Sequence, residues 1–561
     1  MPSLAKTGRT AIGLASLGLL LTGSPAAAQD DDGYAIDHQT TVQRCSRCHT
    51  VDAEGRMSRL SFMRKTPEGW QTSIRRMVAL HDVNVSPEEA RDIVRYLSNE
   101  HGLAPEELRP GLFEVERRLI DHDYKGDSGV EFTCIQCHSM GRVITQRRTE
   151  EEWGLLLATH RGLYPLVDGQ AFRRGGPAPT EPDEDGRPPD ARHPMDKAID
   201  HLSDVFPLET PEWAAWAANK RSPQLTGTWA LSGYEPGKGP IYGTVDISVD
   251  AQDPDAFTTS ARYLYAETGQ SVDRTGQALI YTGYQWRGRS NPGQADELRE
   301  VMFVERDQRE ISGRWFSGAY DEMGPDVTLR RIGSEPILTG VYPMAIERGT
   351  TTDVTVYGGG LEGGTDTSFD LGTGVSVESL ILSNDGTLRA QLRVDADAIV
   401  GARDLFAFGS TLEGAIVVHD GVDRIAVTPE TGMSRVGGGN FPKGYQTYEA
   451  IAYDDGLDGE ADTDDDLVLG RIDVSWSMEE YAAVFGDDDI EYVGSLGQDG
   501  VFSPALDGPN PDRVGSRNNV GDVWVIATHT TASGDVLKAR AHLLVTVPLY
   551  LRWEPWQETR R

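Results

Sequence analysis

The sequence predicts a multidomain chain with helical and all-β parts in series: one helical domain, then a β-barrel-like unit and two β-sandwich-like units. Three observations predict it. Apolar residues recur at helical spacing within the first 220 residues, as at Ile74, Met77 and Val78, which follow Trp70 by four, seven and eight positions. Beyond about residue 222 the period changes to two, with Gly, Asp and Asn punctuating short runs. At 561 residues the chain also exceeds what a single core supports.

The N-terminus reads as an export signal. Lys6 and Arg9 give a positive start, residues 11–21 are apolar, and Ser24-Pro25-Ala26-Ala27-Ala28 offers a small-residue cleavage site before Gln29. The apolar run is too short to span a bilayer, and no later stretch is long and apolar enough to do so. Residues 1–28 are therefore expected to be removed, leaving a periplasmic protein with no membrane span. A net charge of −35 argues against nucleic acid as a partner, because neutralising phosphates needs a basic face.

Four cysteines carry the most information. They form two C-x-x-C-H motifs, Cys45-Ser46-Arg47-Cys48-His49 and Cys134-Ile135-Gln136-Cys137-His138. Two thiols three positions apart reach the two vinyl groups of one porphyrin, and the adjoining histidine lies under the iron, which is the signature of c-type haem attachment. Two structural disulfides would use the same cysteines but leave both histidines unexplained. A four-cysteine zinc ribbon needs its pairs about 15–20 residues apart, far closer than these. A thioredoxin-like pair would sit in a βαβ pattern, which neither motif has. The expectation is two covalently bound haem c groups, held by Cys45 and Cys48 and by Cys134 and Cys137, with His49 and His138 as proximal ligands.

An internal repeat locates the distal ligands. Arg64-Lys65-Thr66-Pro67-Glu68-Gly69-Trp70 aligns without gaps with Arg147-Arg148-Thr149-Glu150-Glu151-Glu152-Trp153. In both copies the threonine reads as a helix N-cap, with Pro67 at the first helical position and Thr149 and Glu152 as a capping box. Seven residues beyond each tryptophan stand Met77 and His160, two turns down an apolar face that must cover a haem. The register assigns His49 and Met77 to the first iron and His138 and His160 to the second. Alternatives are Met57, Met63 or His81 in the first lobe and His193, Met195 or His201 in the second. Methionine ligation raises the potential, so the first haem is expected to be the more oxidising centre and the exit point for electrons.

Each lobe should close with a further helix. Ser86-Pro87-Glu88-Glu89 opens one with Ile93, Val94 and Leu97 on its apolar face, and Thr210-Pro211-Glu212 opens the other, carrying Trp213 and Trp216. Residues 175–194, rich in proline and charge, read as a loop between them. The helical domain then spans 29–221, with lobes at about 35–104 and 105–221.

In the β region, 243–249 and 310–315 alternate like antiparallel strands, and 222–334 is expected to close as a small barrel. The segments 335–427 and 428–561 suit immunoglobulin-like sandwiches, on the strength of runs such as 351–357, 388–394, 524–528 and 542–547. The acidic run 454–466 lacks the terminal glutamate of an EF-hand and reads as a solvated loop rather than a calcium site. No catalytic constellation stands out here, so this half is expected to serve architecture and docking.

In its order of parts (export signal, two C-x-x-C-H lobes with an R-x-T-x-x-x-W helix, a barrel and two sandwiches) the chain resembles the alpha subunit of quinohaemoprotein amine dehydrogenase. The stretch 456–480, with its acidic run, Leu469-Gly470 and Trp476-Ser477-Met478-Glu479-Glu480, is similar to that family's last domain. The resemblance implies a heterotrimer. A gamma subunit carries cysteine tryptophylquinone and oxidises primary amines, a beta subunit forms a propeller, and the alpha subunit relays electrons through two haems to an external copper protein or soluble cytochrome. All four cysteines are taken by haem, so the quinone precursor is not on this chain. The alternatives are a free-standing dihaem electron carrier serving another periplasmic oxidoreductase, a haem sensor or adhesion protein, and a dihaem peroxidase. Two filled distal positions count against sensor and peroxidase.

Overall fold

The computed structural model describes residues 33–548, except 112–125, 127–129, 131–133, 135–137, 165–181, 183–185, 187, 189–191, 193, 321, 362–367, 384–385 and 483–485. The expected export signal and most of the expected loop 175–194 lie outside the described residues.

Two helical lobes come first. One holds α1 (Gln39–Cys45), β1 (Met63–Lys65), α2 (Pro67–His81) and α3 (Pro87–Glu100). A short helix, α4 (Pro105–Leu108), leads to the other, which holds β2 (Gln146–Arg148), α5 (Glu150–Leu163) and α6 (Pro194–Val205). The helices start where the capping residues stand. Thr66 Oγ1 accepts the Gly69 N–H at 3.1 Å, and Thr149 Oγ1 accepts the Glu152 N–H at 3.2 Å. Ser86 and Glu89 cap reciprocally. The expected Thr149–Glu152 box forms on one side, because the Glu152 carboxylate turns instead to Arg59, whose Nε lies 2.9 Å away.

The lobes are joined by an antiparallel ribbon in which Met63 faces Arg148, Arg64 faces Arg147 and Lys65 faces Gln146. Arg64 and Arg147 are the equivalent residues of the repeat, so a local two-fold axis runs between them. The surrounding contacts obey it. The Lys65 N–H and the Trp70 indole N–H both donate to the carbonyl of His101, and the Arg148 N–H and the Trp153 indole N–H both donate to that of Phe206. The second lobe is closed by α6, whose Ala198 and Leu202 pack with Phe206, Trp153 and Met140. This differs from the sequence expectation, which gave that role to the helix after Thr210. That helix, α7 (Pro211–Asn219), faces elsewhere: Trp213 lies under Arg64, and Trp216 Nε1 donates to the Thr282 carbonyl of the barrel at 2.8 Å.

Eight antiparallel strands, from β3 (Gly227–Glu235) to β10 (Asp326–Arg331), close into a barrel, the first pairing with the last. Alternate residues point inward and fill it, among them Trp229, Ile241, Phe257, Trp286 and Trp315. The first lobe is docked against this barrel. Leu103 and Leu108 share its apolar core, Tyr284 Oη donates to the Leu103 carbonyl at 3.0 Å, and Arg95 Nη2 donates to Asp253 at 2.7 Å.

Two further β units follow. In the first, a sheet of Ile337–Tyr342, Thr351–Gly359, Leu388–Val394 and Val375–Leu382 shares one apolar core with a sheet of Ala345–Glu347, Ser410–His419, Gly401–Ala407 and Phe369–Asp370. In the second, Thr431–Arg435, Val536–Thr546, Gly521–Thr530 and Ser475–Glu480 form the central sheet. Strand Arg424–Thr428 pairs with Glu449–Asp454 and so belongs to this last unit rather than to the preceding one.

Candidate haem-binding site

In the first lobe α1 ends in a tight turn. The Cys48 N–H donates to the Cys45 carbonyl at 3.1 Å and the His49 N–H to the same oxygen at 3.0 Å, which gathers both thiols and the imidazole at one helix end. Cys45 is half-buried and Cys48 exposed. His49 Nδ1 faces the Ser58 carbonyl at 2.9 Å, so as the Nδ1–H tautomer it donates there and leaves Nε2 with a free lone pair. Burial holds its pKa below the ordinary histidine range, with the charges of Arg59 and His81 adding to that, so the ring is neutral and able to bind metal. Arg59, next to Ser58, adopts a φ of 71°, a conformation that side-chain-bearing residues rarely take.

Met77 is half-buried on α2, two turns beyond the buried Trp70, and Ile74 packs on the same core. Beside it Val78 and Leu80 stay 43% and 53% exposed, an apolar surface that a porphyrin face would cover. Of the alternatives, Met57 and Met63 are buried in the core around Trp70 and Ile93. His81 is exposed at the end of α2.

In the second lobe Cys134 is half-buried, and Cys137 lies outside the described residues. Burial in the apolar cluster of Val130, Met140 and Trp153 pushes the Cys134 thiol up to about 12. His138 Nδ1 faces the Ser139 carbonyl at 2.8 Å, and His160 Nδ1 faces the Leu156 carbonyl, also at 2.8 Å. The two rings are 6.3 Å apart between centroids. An imidazole nitrogen lies about 1 Å from its ring centroid and about 2 Å from a bound metal ion, so two axial histidines on one iron stand about 6 Å apart. The pair has the separation that one iron requires, with both Nδ1 atoms occupied elsewhere. Burial brings His138 down to about 4, again the neutral form. These residues fit a haem group.

Sequence reasoning missed the charged centre between the lobes. Glu107, on α4, takes Arg64 Nη1 at 2.8 Å and Nη2 at 2.9 Å, and Arg147 Nε stands 3.1 Å away. Its remaining partners are Thr210 Oγ1 at 2.8 Å and the Ala104 N–H at 2.7 Å. Both arginines belong to the repeat and were visible as such, but nothing local marks Glu107 as their partner. The acidic run 454–466 is held by its own protein contacts: Asp455 pairs with Arg424 at 2.7 Å, and Asp465 Oδ2 accepts the Leu457 N–H at 2.7 Å. Among the described residues, the carboxylates that do converge are Asp487, Asp488 and Asp489, of which Asp488 and Asp489 pair with Arg513. No helix among the described residues is long and apolar enough to cross a membrane.

No curated protein matches the chain. Solved structures with local likeness include a redesigned beta barrel (13% identity, 19% of this chain and 92% of that one, TM-score 0.17). Others are mouse clustered PcdhgC3 EC1-3 (11%, 54% and 88%, TM-score 0.16) and tandem Ig repeats of Dlar (11%, 38% and 98%, TM-score 0.13). At these scores they bear on neither fold nor function. Family models are informative along nearly the whole chain. Residues 36–176 match the haem-binding domain of the quinohemoprotein amine dehydrogenase alpha subunit. Residues 222–332, 335–420 and 425–557 match domains II, III and IV of the same subunit. With a haem-binding domain and all three following domains matched in order, the chain belongs to the quinohemoprotein amine dehydrogenase alpha subunit family, part of a multi-subunit oxidoreductase.

Proposed function

We propose that this chain is the dihaem electron-transfer subunit of a periplasmic amine dehydrogenase, relaying electrons from a quinone on a partner subunit to an external acceptor. The observation that carries the reading is the His138–His160 pair, 6.3 Å apart with each Nδ1 on a backbone carbonyl, in a lobe related by a local two-fold to one bearing a second C-x-x-C-H turn. The first haem takes Cys45 and Cys48 with His49 and Met77, and the second takes Cys134 and Cys137 with His138 and His160. When bound, these groups supply reversible one-electron chemistry. The chain's own residues orient the ligands, keep the imidazoles neutral and shield the iron from water.

The amine chemistry is assigned to cysteine tryptophylquinone on a small gamma subunit, in a heterotrimer completed by a propeller-type beta subunit. A small copper protein or a soluble cytochrome is the acceptor. The chain lacks any residue set for amine oxidation that sequence analysis could find, which supports this division. Residues 1–28 act as the export signal, 29–221 carry the haems, 222–334 form the barrel, and 335–423 and 424–561 are immunoglobulin-like units that dock the partners. A free-standing dihaem carrier is the rival reading. The test is to purify the complex intact from the periplasm and add n-butylamine. Haem reduction with beta- and gamma-sized chains co-purifying supports the assignment. A lone protein whose haems respond to dithionite but not to amine overturns it in favour of the carrier.

A further inference from the structure

Between α2 and the first turn of α5 lies a cluster of four cations, Arg59, Lys65, Arg76 and Arg148, with Glu152 as the carboxylate among them. Lys65 and Arg148 are buried, at 8% and 3% exposure, and Glu152 is at 3%. Glu152 does not satisfy the cluster. Its Oε2 lies 2.9 Å from Arg59 Nε but 3.6 Å from Arg148 Nη1, and that Arg148 nitrogen makes no hydrogen bond among the described residues. Lys65 Nζ donates to the neutral Ser73 hydroxyl at 2.9 Å. Arg76 forms no ion pair among the described residues, yet its charge, with those of Arg148 and Arg59, reaches Lys65. Burial and these neighbours hold the Lys65 pKa well below the ordinary lysine range, and Glu152 offsets them in part.

Uncompensated cations in a low-dielectric interior demand an anion. The cluster's position says which. Arg76 adjoins Met77 on α2, and Arg59 adjoins Ser58, whose carbonyl orients His49. Arg76 thus stands one position before the distal-ligand candidate and Arg59 one position after the residue that orients the proximal histidine, and the rim of a haem carries two carboxylates. Resting on the assignment of a haem to Cys45 and Cys48, we infer that Arg59, Arg76 and Arg148, backed by Lys65, form the binding site for a propionate carboxylate of the first haem. They are positioning residues that set its orientation and raise its potential, because nearby positive charge disfavours the ferric state.

The experiment uses the intact complex, with haem carrying ¹³C at its propionate carboxyls, and compares unaltered protein with Arg76→Gln and Arg59→Gln. Both side chains reach solvent, so neither change empties the core. Redox-difference infrared spectra report the labelled carboxylates, and spectroelectrochemistry reports each midpoint. The expected result is a shift of labelled carboxylate bands in both variants. The ferric-to-ferrous ratio of the first haem should rise about tenfold at the unaltered midpoint, a fall of about 59 mV for one electron, with the second haem unmoved. Labelled bands and midpoints that stay unchanged, with two haems bound, overturn this inference alone. Absence of haem from Cys45 and Cys48 in the unaltered protein overturns it together with the reading on which it rests.

Discussion

Replacing Glu107 by glutamine removes one negative charge from a site that holds two guanidinium groups away from water. Arg64 is fully buried and Arg147 nearly so, and Glu107 is the carboxylate that touches both. The cost follows by two routes. Removing one partner of a buried ion pair costs about 3–5 kcal/mol, because the other charge stays buried and uncompensated. Burial raises the Glu107 pKa, but the Arg64 hydrogen bonds and charge, then Arg147, outweigh it and bring it from 4.5 to about 2. At 1.36 kcal/mol per pKa unit that also corresponds to about 3 kcal/mol. Because the folded value lies below the unfolded one, this contribution is complete above about 4.5 and is lost as pH falls towards 2. The assay is denaturant unfolding of the haem domain in the full-length holoprotein, followed by haem absorbance from pH 7 to pH 3. Glu107→Gln should be less stable by about 3 kcal/mol at pH 7, and the gap should narrow steadily below pH 4.5. A variant as stable as the unaltered protein, or a gap that ignores pH, refutes the reasoning.

Other perturbations address the haems and the barrel. Exchanging Met77 for histidine should lower the first midpoint, and exchanging His160 for methionine should raise the second, as spectroelectrochemistry with resolved haems would register. If His81 rather than Met77 binds the first iron, Met77→Ala leaves that haem's spectrum unchanged and His81→Ala alters it. Cys45→Ser with Cys48→Ser should halve the haem content by pyridine haemochrome assay, while the second haem stays covalent. In the barrel, burial raises Glu300 to about 7, although its carboxylate accepts the Trp286 indole N–H at 2.8 Å. A raised value means that stability is present below the ordinary 4.5 and falls as pH rises through 7. Glu300→Gln, which keeps the acceptor, should therefore be the more stable form at pH 8, by up to about 3 kcal/mol in barrel unfolding monitored by tryptophan fluorescence.

What the sequence made legible was local. The first C-x-x-C-H turn, the caps at Thr66, Ser86 and Thr149, and the period-two runs of the barrel each depend on residues a few positions apart, and the structure forms each of them. The repeat went further than its use in placing distal ligands. Its gapless register reappears as the cross-strand pairing of Arg64 with Arg147, which a linear alignment does not announce. What failed depends on distance. Glu107 lies 43 residues from Arg64 in sequence. The reciprocal half of the Thr149 cap lost to Arg59, because an ion pair with a guanidinium outcompetes a neutral backbone N–H. The helix Pro194–Val205 has no legible start in the sequence, because the run before it is rich in proline and charge and offers no clear cap.

The arrangement also explains why a relay would be built as a two-fold pair of lobes. Electron transfer between two centres needs a fixed separation and orientation, and a flexible linker between lobes would supply neither. Here the ribbon pairs the equivalent strands in one register, and shifting it by a residue would exchange the faces to which Arg64 and Lys65 point. Glu107 then ties both strands to α4, and α4 sits against the barrel through Leu108 and the Arg306–Glu106 pair. A buried ionic triad of this kind is poor value as stabilisation, since apolar residues of similar volume often hold a fold as well or better. What it does supply is a single permitted geometry, because every other register strands a guanidinium without its carboxylate. On that argument, replacing Arg64, Glu107 and Arg147 together by methionine, leucine and methionine should preserve stability within about 2 kcal/mol while broadening the distribution of haem–haem distances. Pulsed electron-spin measurements on the oxidised protein would register that spread. A triple variant with an unbroadened distance distribution would show that packing alone sets the geometry and that the charges are dispensable.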